Sequence, residues 1–576
     1  MRHEKLSPGL LLAYEDYQRE GAQALTQQRR SLGILAPRNA MQQTKSIVFI
    51  YCDEDADLRP LLQQGIEVNQ NTGSVRTAYL PLSSLDPLSE EAVVHRIKPS
   101  RKMHLRMDDA KKAVYVPEFQ NKTGLTGEKV VIGIIDTGID AKHPAFKGRI
   151  LRIWDQTLPG PGVKEGAYGA ELSKDQLTIS QDTEGHGTHV AGIASAGDST
   201  YSGVAPKAEL VIVKSDLQDA HIADAVRYIF RIASELKRPA VVNLSLGGHA
   251  DAHDGSDSLS KIIDAETGPG RIVCCAAGNE GNDNIHAQAK VSTSRMSTIR
   301  FNVPQNQVGI AWLNGWYSGK GQLEVSVRTP NGFVTPFQKI ITKGNPTQDY
   351  QLADAQVQIA TPGPDPMNGD HNFFVQIRGN GTMPVMGGIW QLRIRNTGSS
   401  ETRLDVWTLD DRSAVFFTGK SVQDAVKIGS PGACKSAVTV ASYTTKVKYT
   451  DIDAKAQEVG LDLHSISDFS SEGPLRNDAQ KPDFAAPGAM IVSTLSSTAQ
   501  GFGRSSMINS KFVVSAGTSM ATPFVTGLVA LLLQRNPKLD PAGVKELLRK
   551  NSSIPQKAAG TFDSKWGFGL INAKNL

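Results

Sequence analysis

The chain is poor in cysteine, in net charge and in long apolar runs. Its 576 residues include only four cysteines: Cys52, Cys274, Cys275 and Cys434. They form neither a CxxC pair nor a regular framework, which excludes a disulfide-stapled scaffold. Cys274 and Cys275 sit in the apolar run RIVCCAAGN and read as small buried hydrophobes. The 62 basic and 58 acidic residues nearly cancel, leaving a formal charge of +4. That balance argues against a nucleic-acid partner. The longest apolar run, around 524–533, contains Thr526 and Gly527 and is too short to span a bilayer. The opening MRHEKLSPGLLLAYEDYQREG offers only LLLAY before acidic residues follow, so it does not read as a secretory signal. Together these absences predict a chain without a membrane partner in a reducing, cytoplasmic setting, with non-classical export as the alternative.

What is present reads as about three domains. Residues 1–44 are a polar, Gln/Arg-rich extension with a helix predicted over about 8–28. SIVFIYC, IEVNQ, GSVRTAYLPL and HRIKPSRKM then read as strands. DADLRPLLQQG, ended by Gly65, and SSLDPLSEEAVV, started by Ser caps, read as helices. The order β-α-β-β-α-β over 45–105 is that of a ferredoxin-like small domain. Residues 106–115 read as a linker. The basic run KPSRKMHLR (98–106) has no stacking aromatics, so it reads as solvated and protease-accessible.

From 116 the pattern changes. VVIGIIDTG, AELVIVK, AVVNLSL and RIVCCAAG are buried strands, and HVAGIASA, ADAVRYIFRIASEL and the segment after Ser519 read as helices. This alternation predicts an α/β domain with a doubly wound parallel sheet. Between 285 and 424 it stops. IRFNV, VGIAWL, QLEVSVRT, NFFVQIRG, GIWQLRIRN and TRLDVWTL follow one another with no amphipathic helix between them. That is an all-β sandwich or jelly roll, inserted between a first catalytic part (116–284) and a second (425–576). No repeat of 20–50 residues is present.

Three segments each hold one reactive side chain. IIDTGID puts Asp136 at the carboxyl end of a buried strand, where open α/β sheets place their clefts. EGHGTHVAGIAS puts His186 at a helix entry. AGTSMATPFVTGLVALLL puts Ser519 at the amino end of a buried helix, which favours negative charge near the hydroxyl. A serine needs an imidazole to take its proton, and the imidazole needs a buried carboxylate to set its tautomer. RIVCCAAGNEG adds Asn279, whose amide can donate to a developing oxyanion, as can the Ser519 N–H. Competing signals are weaker. His186 and His189 are three apart with no Glu between, unlike the HExxH zinc pattern. HADAHD (249–254) reads as a polar surface loop near the cleft. GTSMA is not the G-x-S-x-G elbow of esterases. A non-catalytic regulator fits less well, because no triad member is lost.

Four separated motifs, VVIGIIDTGID, GHGTHVAG, AAGNEG and GTSMATP, resemble those of the subtilase family. FSSEGPLRNDAQKPDFAAPG and WGFGLINA support the likeness, which covers about 116–284 and 425–576. The β insertion is similar to that of the clostridial Csp proteases. The resemblance implies a subtilisin-like fold and a serine endopeptidase with triad Asp136, His186 and Ser519. It further implies that Ser245, Leu246 and Gly247 line the substrate cleft, and that Ala276, Ala277 and Gly278 border the primary specificity pocket. It makes 45–105 an inhibitory propeptide that is cut autocatalytically, so the expected partners are protein or peptide substrates and the chain's own propeptide. No cofactor is required. Many subtilases bind calcium after the histidine helix, but AGDSTYSGVAP offers only Asp198 there, so no calcium residues are assigned.

Overall fold

The computed structural model describes residues 1–21, 25, 34–35, 44–100, 111–409 and 414–576. A ten-stranded sheet forms its centre. Eight strands run parallel, in the spatial order Leu570–Ile571, Phe484–Ala489, Val438–Thr444, Arg271–Ala276, Ala240–Leu244, Val131–Asp136, Glu209–Lys214 and Ile150–Asp155. Strands such as VIGIID are apolar on both faces because helices cover both. On one side the serine helix, Thr518–Arg535, packs with the histidine helix, His186–Ser195. On the other lie the helices Asp219–Glu235 and Ser258–Glu266.

The N-terminal module is a separate antiparallel sheet. Its main strands run in the order Glu67–Val68, Val75–Pro81, Lys45–Cys52, Val94–Pro99. SIVFIYC looks continuously apolar for a specific reason. Val48, Ile50 and Cys52 enter the module's own core, while Ile47, Phe49 and Tyr51 pack with the helices of the central domain. Period-two alternation is present, but both faces are buried. RPLLQQ forms a 3-10 helix, Arg59–Gln64, closed by Gly65 at φ 75°. The second helix is Leu85–Glu90, and its serine does not cap it: Ser84 Oγ donates to the Gln64 carbonyl instead. The N-terminal helix is shorter than predicted, running over Pro8–Glu20 and stopping at Gly21, with the rest of the predicted span largely outside the described residues.

The stretch after Asn279 forms two antiparallel sheets. One has six strands, His286–Val291, Thr402–Thr408, Ile310–Tyr317, His371–Arg378, Gln356–Ala360 and Thr347–Gln351 in that order. The other has four: Leu323–Arg328, Gly388–Asn396, Met296–Val303 and Phe416–Thr418. Leu313, Val375 and Val406 from the first share a core with Phe301, Trp390 and Leu392 from the second. Sequence pattern missed His286–Val291 and the Thr347–Gln351/Gln356–Ala360 pair, whose polar residues hide the alternation.

Candidate active site

Asp136 ends its strand fully buried. Its Oδ1 accepts from the Thr137 N–H at 2.8 Å and meets His186 Nδ1 at 2.7 Å. His186 opens its helix after Gly185, whose φ of 85° lies in the left-handed region. Gly187 has a different reason to be glycine: a Cβ there would lie 2.1 Å from the Gly138 carbonyl oxygen. The aspartate loop and the histidine helix therefore touch backbone to backbone. Asp182, which sequence reasoning passed over, holds the helix entry. Its Oδ1 accepts from the Gly185 N–H, and its Oδ2 accepts from the Thr188 N–H and hydroxyl. An Asp just upstream of a helix start is the local signal that could have found it. His189 is packed beneath, its Nε2 facing the Val513 carbonyl at 2.9 Å, and burial holds it well below the usual histidine range.

Ser519 is the second residue of its helix and 1% exposed. Its Oγ donates to the Ser245 carbonyl at 3.0 Å, and its own carbonyl accepts from Ser245 Oγ at 2.7 Å. A polar chain continues inward, with Asn243 Nδ2 donating to Ser245 Oγ and Thr526 Oγ1 donating to Asn243 Oδ1. The side chains of Ser245 and Leu246 are thus buried, while Gly247 is half-exposed.

Asn279 follows Gly278, which has φ 109°. The Thr518 N–H donates to Asn279 Oδ1 at 2.8 Å. A backbone N–H can only meet an oxygen, so the amide orientation is determined, and the Nδ2 donors face away from Thr518. The Asn279 N–H donates to Glu280 Oε2, which also accepts from Ser471 Oγ. Lys427, with a fully buried side chain, donates from Nζ to the Gly281 carbonyl at 2.8 Å. Burial lowers its pKa. Ala276 and Ala277 are buried, and Ala277 packs with Ile428, Ala433 and Leu475. Gly278 is half-exposed beside them.

HADAHD is not a surface loop. His253 is fully buried and stacks on Trp407 at 3.9 Å, and His286 stacks with the same indole at 4.7 Å. The insert supplies Trp407, a partner no local pattern announces. Burial beside Asp257 pushes Asp251 up to about 7. Lys98, predicted solvated, has a side chain only 15% exposed and pairs with Asp365. Most of the rest of the basic run lies outside the described residues. Asp198 accepts from the Thr200 and Tyr201 N–H groups of its own turn. Among the described residues no group of three or more His, Cys, Asp or Glu is placed to hold a metal ion. No helix there is long and apolar enough to cross a membrane.

The chain as a whole is similar to known proteins. The sequence model of the subtilase family fits residues 127–363 and 387–569. The chain is 25% identical over 504 residues to the serine protease AprX of Bacillus subtilis, covering 85% of this chain and 75% of that protein. The major intracellular serine protease of the same organism is 32% identical over 179 residues, 30% of this chain and 49% of that one. Among solved structures, the Clostridium perfringens CspB protease superposes with a TM-score of 0.67 at 25% identity, over 81% of this chain and 96% of that chain.

Proposed function

The chain belongs to the subtilase family and is a subtilisin-like serine endopeptidase, and from that premise we propose that Asp136, His186, Ser519 and Asn279 carry its chemistry. The observation that carries this reading is the 2.7 Å contact between His186 Nδ1 and the buried Asp136 carboxylate. That contact supports the reading, since a carboxylate at Nδ1 sets the imidazole tautomer in which the other nitrogen acts as base. Ser519 Oγ attacks the scissile carbonyl and gives its proton to His186, which passes it to the leaving amine. The Ser519 N–H at its helix end and the Asn279 amide receive the oxyanion. Substrate backbone lies along Ser245–Leu246–Gly247, with the side chain before the scissile bond against Ala276, Ala277 and Gly278.

The same reading makes residues 45–105 a ferredoxin-like inhibitory propeptide and 285–424 a jelly-roll-like insert. Burial of Ser519 and His186 supports a latent state. So does the seat of the N-terminal module on the helices Asp219–Glu235 and Ser258–Glu266. Ser100 Oγ accepts from the Ala220 N–H, and Thr77 and Gln70 donate to the buried Asp224 at 2.8 Å each. We expect wild-type protein to react with a fluorophosphonate and to lose about the first hundred residues, as read by intact mass. Ser519→Ala protein should do neither. A Ser519→Ala chain that is labelled and trimmed like wild type would overturn the assignment.

A further inference from the structure

The loop HADAHD follows Ser245–Leu246–Gly247 closely in the chain, and the insert holds it. The buried Asn314 donates from Nδ2 to the Asp251 carbonyl at 3.0 Å. Asn314 Oδ1 accepts from Trp316 Nε1 at 3.0 Å and from Asn372 Nδ2 at 2.8 Å, which fixes the orientation of its amide. Trp407 lies within 4° of parallel to the His253 ring, and its Nε1 donates to the Val426 carbonyl at 2.9 Å. The loop is thereby tied to the insert strands Ile310–Tyr317 and Thr402–Thr408.

The protons on the two loop histidines follow from their partners. His253 Nδ1 faces the Asp251 carbonyl at 3.2 Å, so Nδ1 carries a proton. Burial, with His249 and His286 nearby, holds His253 well below the usual histidine range. The ring is therefore neutral, and its Nε2 is an acceptor. His249 Nδ1 meets that Nε2 at 3.0 Å, with the ring planes 11° apart and the centroids at 5.3 Å. So short an N–N distance at that centroid separation sets the rings edge to edge, with His249 donating. The other nitrogen of His249 lies 3.3 Å from Glu280 Oε2. That oxygen accepts from the Asn279 N–H at 2.7 Å and from Ser471 Oγ at 3.0 Å, which favours the ionised carboxylate. A lone pair turned towards it would be repelled, so Nε2 donates as well and His249 bridges as an imidazolium. The two side chains are 17% and 18% exposed, so solvent screens the pair little.

We propose that His249 is a positioning residue for the oxyanion group, carrying the hold of the insert through Glu280 to the backbone of Asn279. This rests on the reading of Asn279 as an oxyanion donor. Asn279 is fixed at two points. Its Oδ1 accepts from the Thr518 N–H, which ties the side chain to the serine helix. Its own N–H donates to Glu280, which ties down the backbone from which that side chain springs. Glu280 has three rotatable bonds and stands at the edge of solvent, so a cationic donor on its carboxylate keeps it turned inward. His249 is that donor, and His253 against Trp407 keeps His249 in place. A donor held this way serves the charge that develops during the reaction, so its loss moves kcat rather than KM.

The test is a double-mutant cycle on the enzyme expressed from the full chain, assayed with a peptide anilide that has an apolar side chain before the scissile bond. His249→Leu keeps bulk and removes both donors. It should lower kcat about ten-fold or more with KM little changed, since a shift of the donor by part of an ångström suffices for that loss. His249→Lys restores a cationic donor for Glu280 and should recover most of kcat, which a packing role would not allow. In an Asn279→Ala background, His249→Leu should cost less than about two-fold more, because its effect passes through Asn279. If His249→Leu folds poorly, Glu280→Gln breaks the same pair from the other side and should show the same split and the same non-additivity. A kcat within about two-fold of the parent, or an equal loss in both backgrounds, overturns the proposal while leaving Asn279 its role. The oxyanion reading fails separately, and takes the proposal with it, if Asn279→Ala alone keeps the parental kcat.

Discussion

Asn279 is held by its oxygen, and the proposed mechanism assigns its nitrogen to the oxyanion. Replacing it with alanine removes one oxyanion donor. We expect kcat to fall about 10²–10³-fold with KM little changed, the size known for this donor in subtilisin itself rather than one derived from this structure. Steady-state kinetics on a peptide anilide checks it. Lys427→Met should move the same parameter by a smaller factor, because Lys427 acts through the Gly281 carbonyl and not on substrate. The cysteines make a different residue-scale prediction. All four are buried and free, and burial pushes Cys274 and Cys434 up to about 12. Thiolate is the reactive form. Labelling by a disulfide reagent at neutral pH should therefore track global unfolding, and rapid labelling of any of the four in native protein would contradict their placement.

The histidine helix is where local structure bears most on the chemistry. Asp182 satisfies donors at both ends of its first turn, so Asp182→Ala should cost roughly 1–2 kcal/mol, read as a lower Tm. Gly187→Ala should do something else. Its Cβ meets the fixed Gly138 carbonyl, so His186 must shift relative to Asp136. A displacement of about 1 Å costs on the order of 10²-fold in rate, so kcat/KM should fall by that factor while the fold survives. This difference explains what could be read in advance. VIGIID, HGTHVAG and GTSMAT announce themselves because each combines a burial pattern with a reactive residue at the element's end. The parallel pairing of the central sheet follows from helix–strand alternation in the same way. Asp16 with Arg378 of the insert, or His253 with Trp407, has no such signature. Each pair joins residues far apart in the chain, and each residue alone looks like a solvated polar side chain. Ser84 was misread for the opposite reason: it has the residue type of a cap but finds a nearer carbonyl at Gln64.

At the scale of the whole molecule, the grip on the N-terminal module should depend on pH, because its contacts with the insert include Asp365 against Lys98 and Glu15 against Asn345. Burial acts to raise the Asp365 carboxyl, but Lys98 and Arg96 outweigh it and hold it below the usual carboxylate range. Tyr51 also faces this group. A depressed value means the contribution is full above the ordinary carboxylate pKa, about 4, and is lost as pH falls through the bound-state value. Glu15 has the opposite sign. Burial pushes it up to about 7, aided by Asp349 and Asp16 and opposed by Asn345 and Arg19. Its charging therefore weakens docking as pH rises from about 4 towards that value. Burial also raises Asp224 on the other face of the module, with Arg227 opposing, so it acts in the same direction as Glu15. Release of the cut module should be slowest at about pH 4 and faster on either side. Release rates measured across the range check this, and a flat profile would remove these carboxyls from the mechanism.

The insert also sets a timetable. Asn279 and Thr518, which meet in the finished site, are 239 residues apart in the chain. At about 5–20 residues per second, a ribosome needs on the order of ten to fifty seconds to pass from one to the other. By the time Ser519 emerges, the N-terminal module, eight of the ten strands of the central sheet and the whole β insert have already left the tunnel. Under the proposed inhibitor reading, the chain is born with its restraint complete and Ser519 last, so each nascent molecule would be held inactive during the interval when its neighbours on the same polysome are least folded.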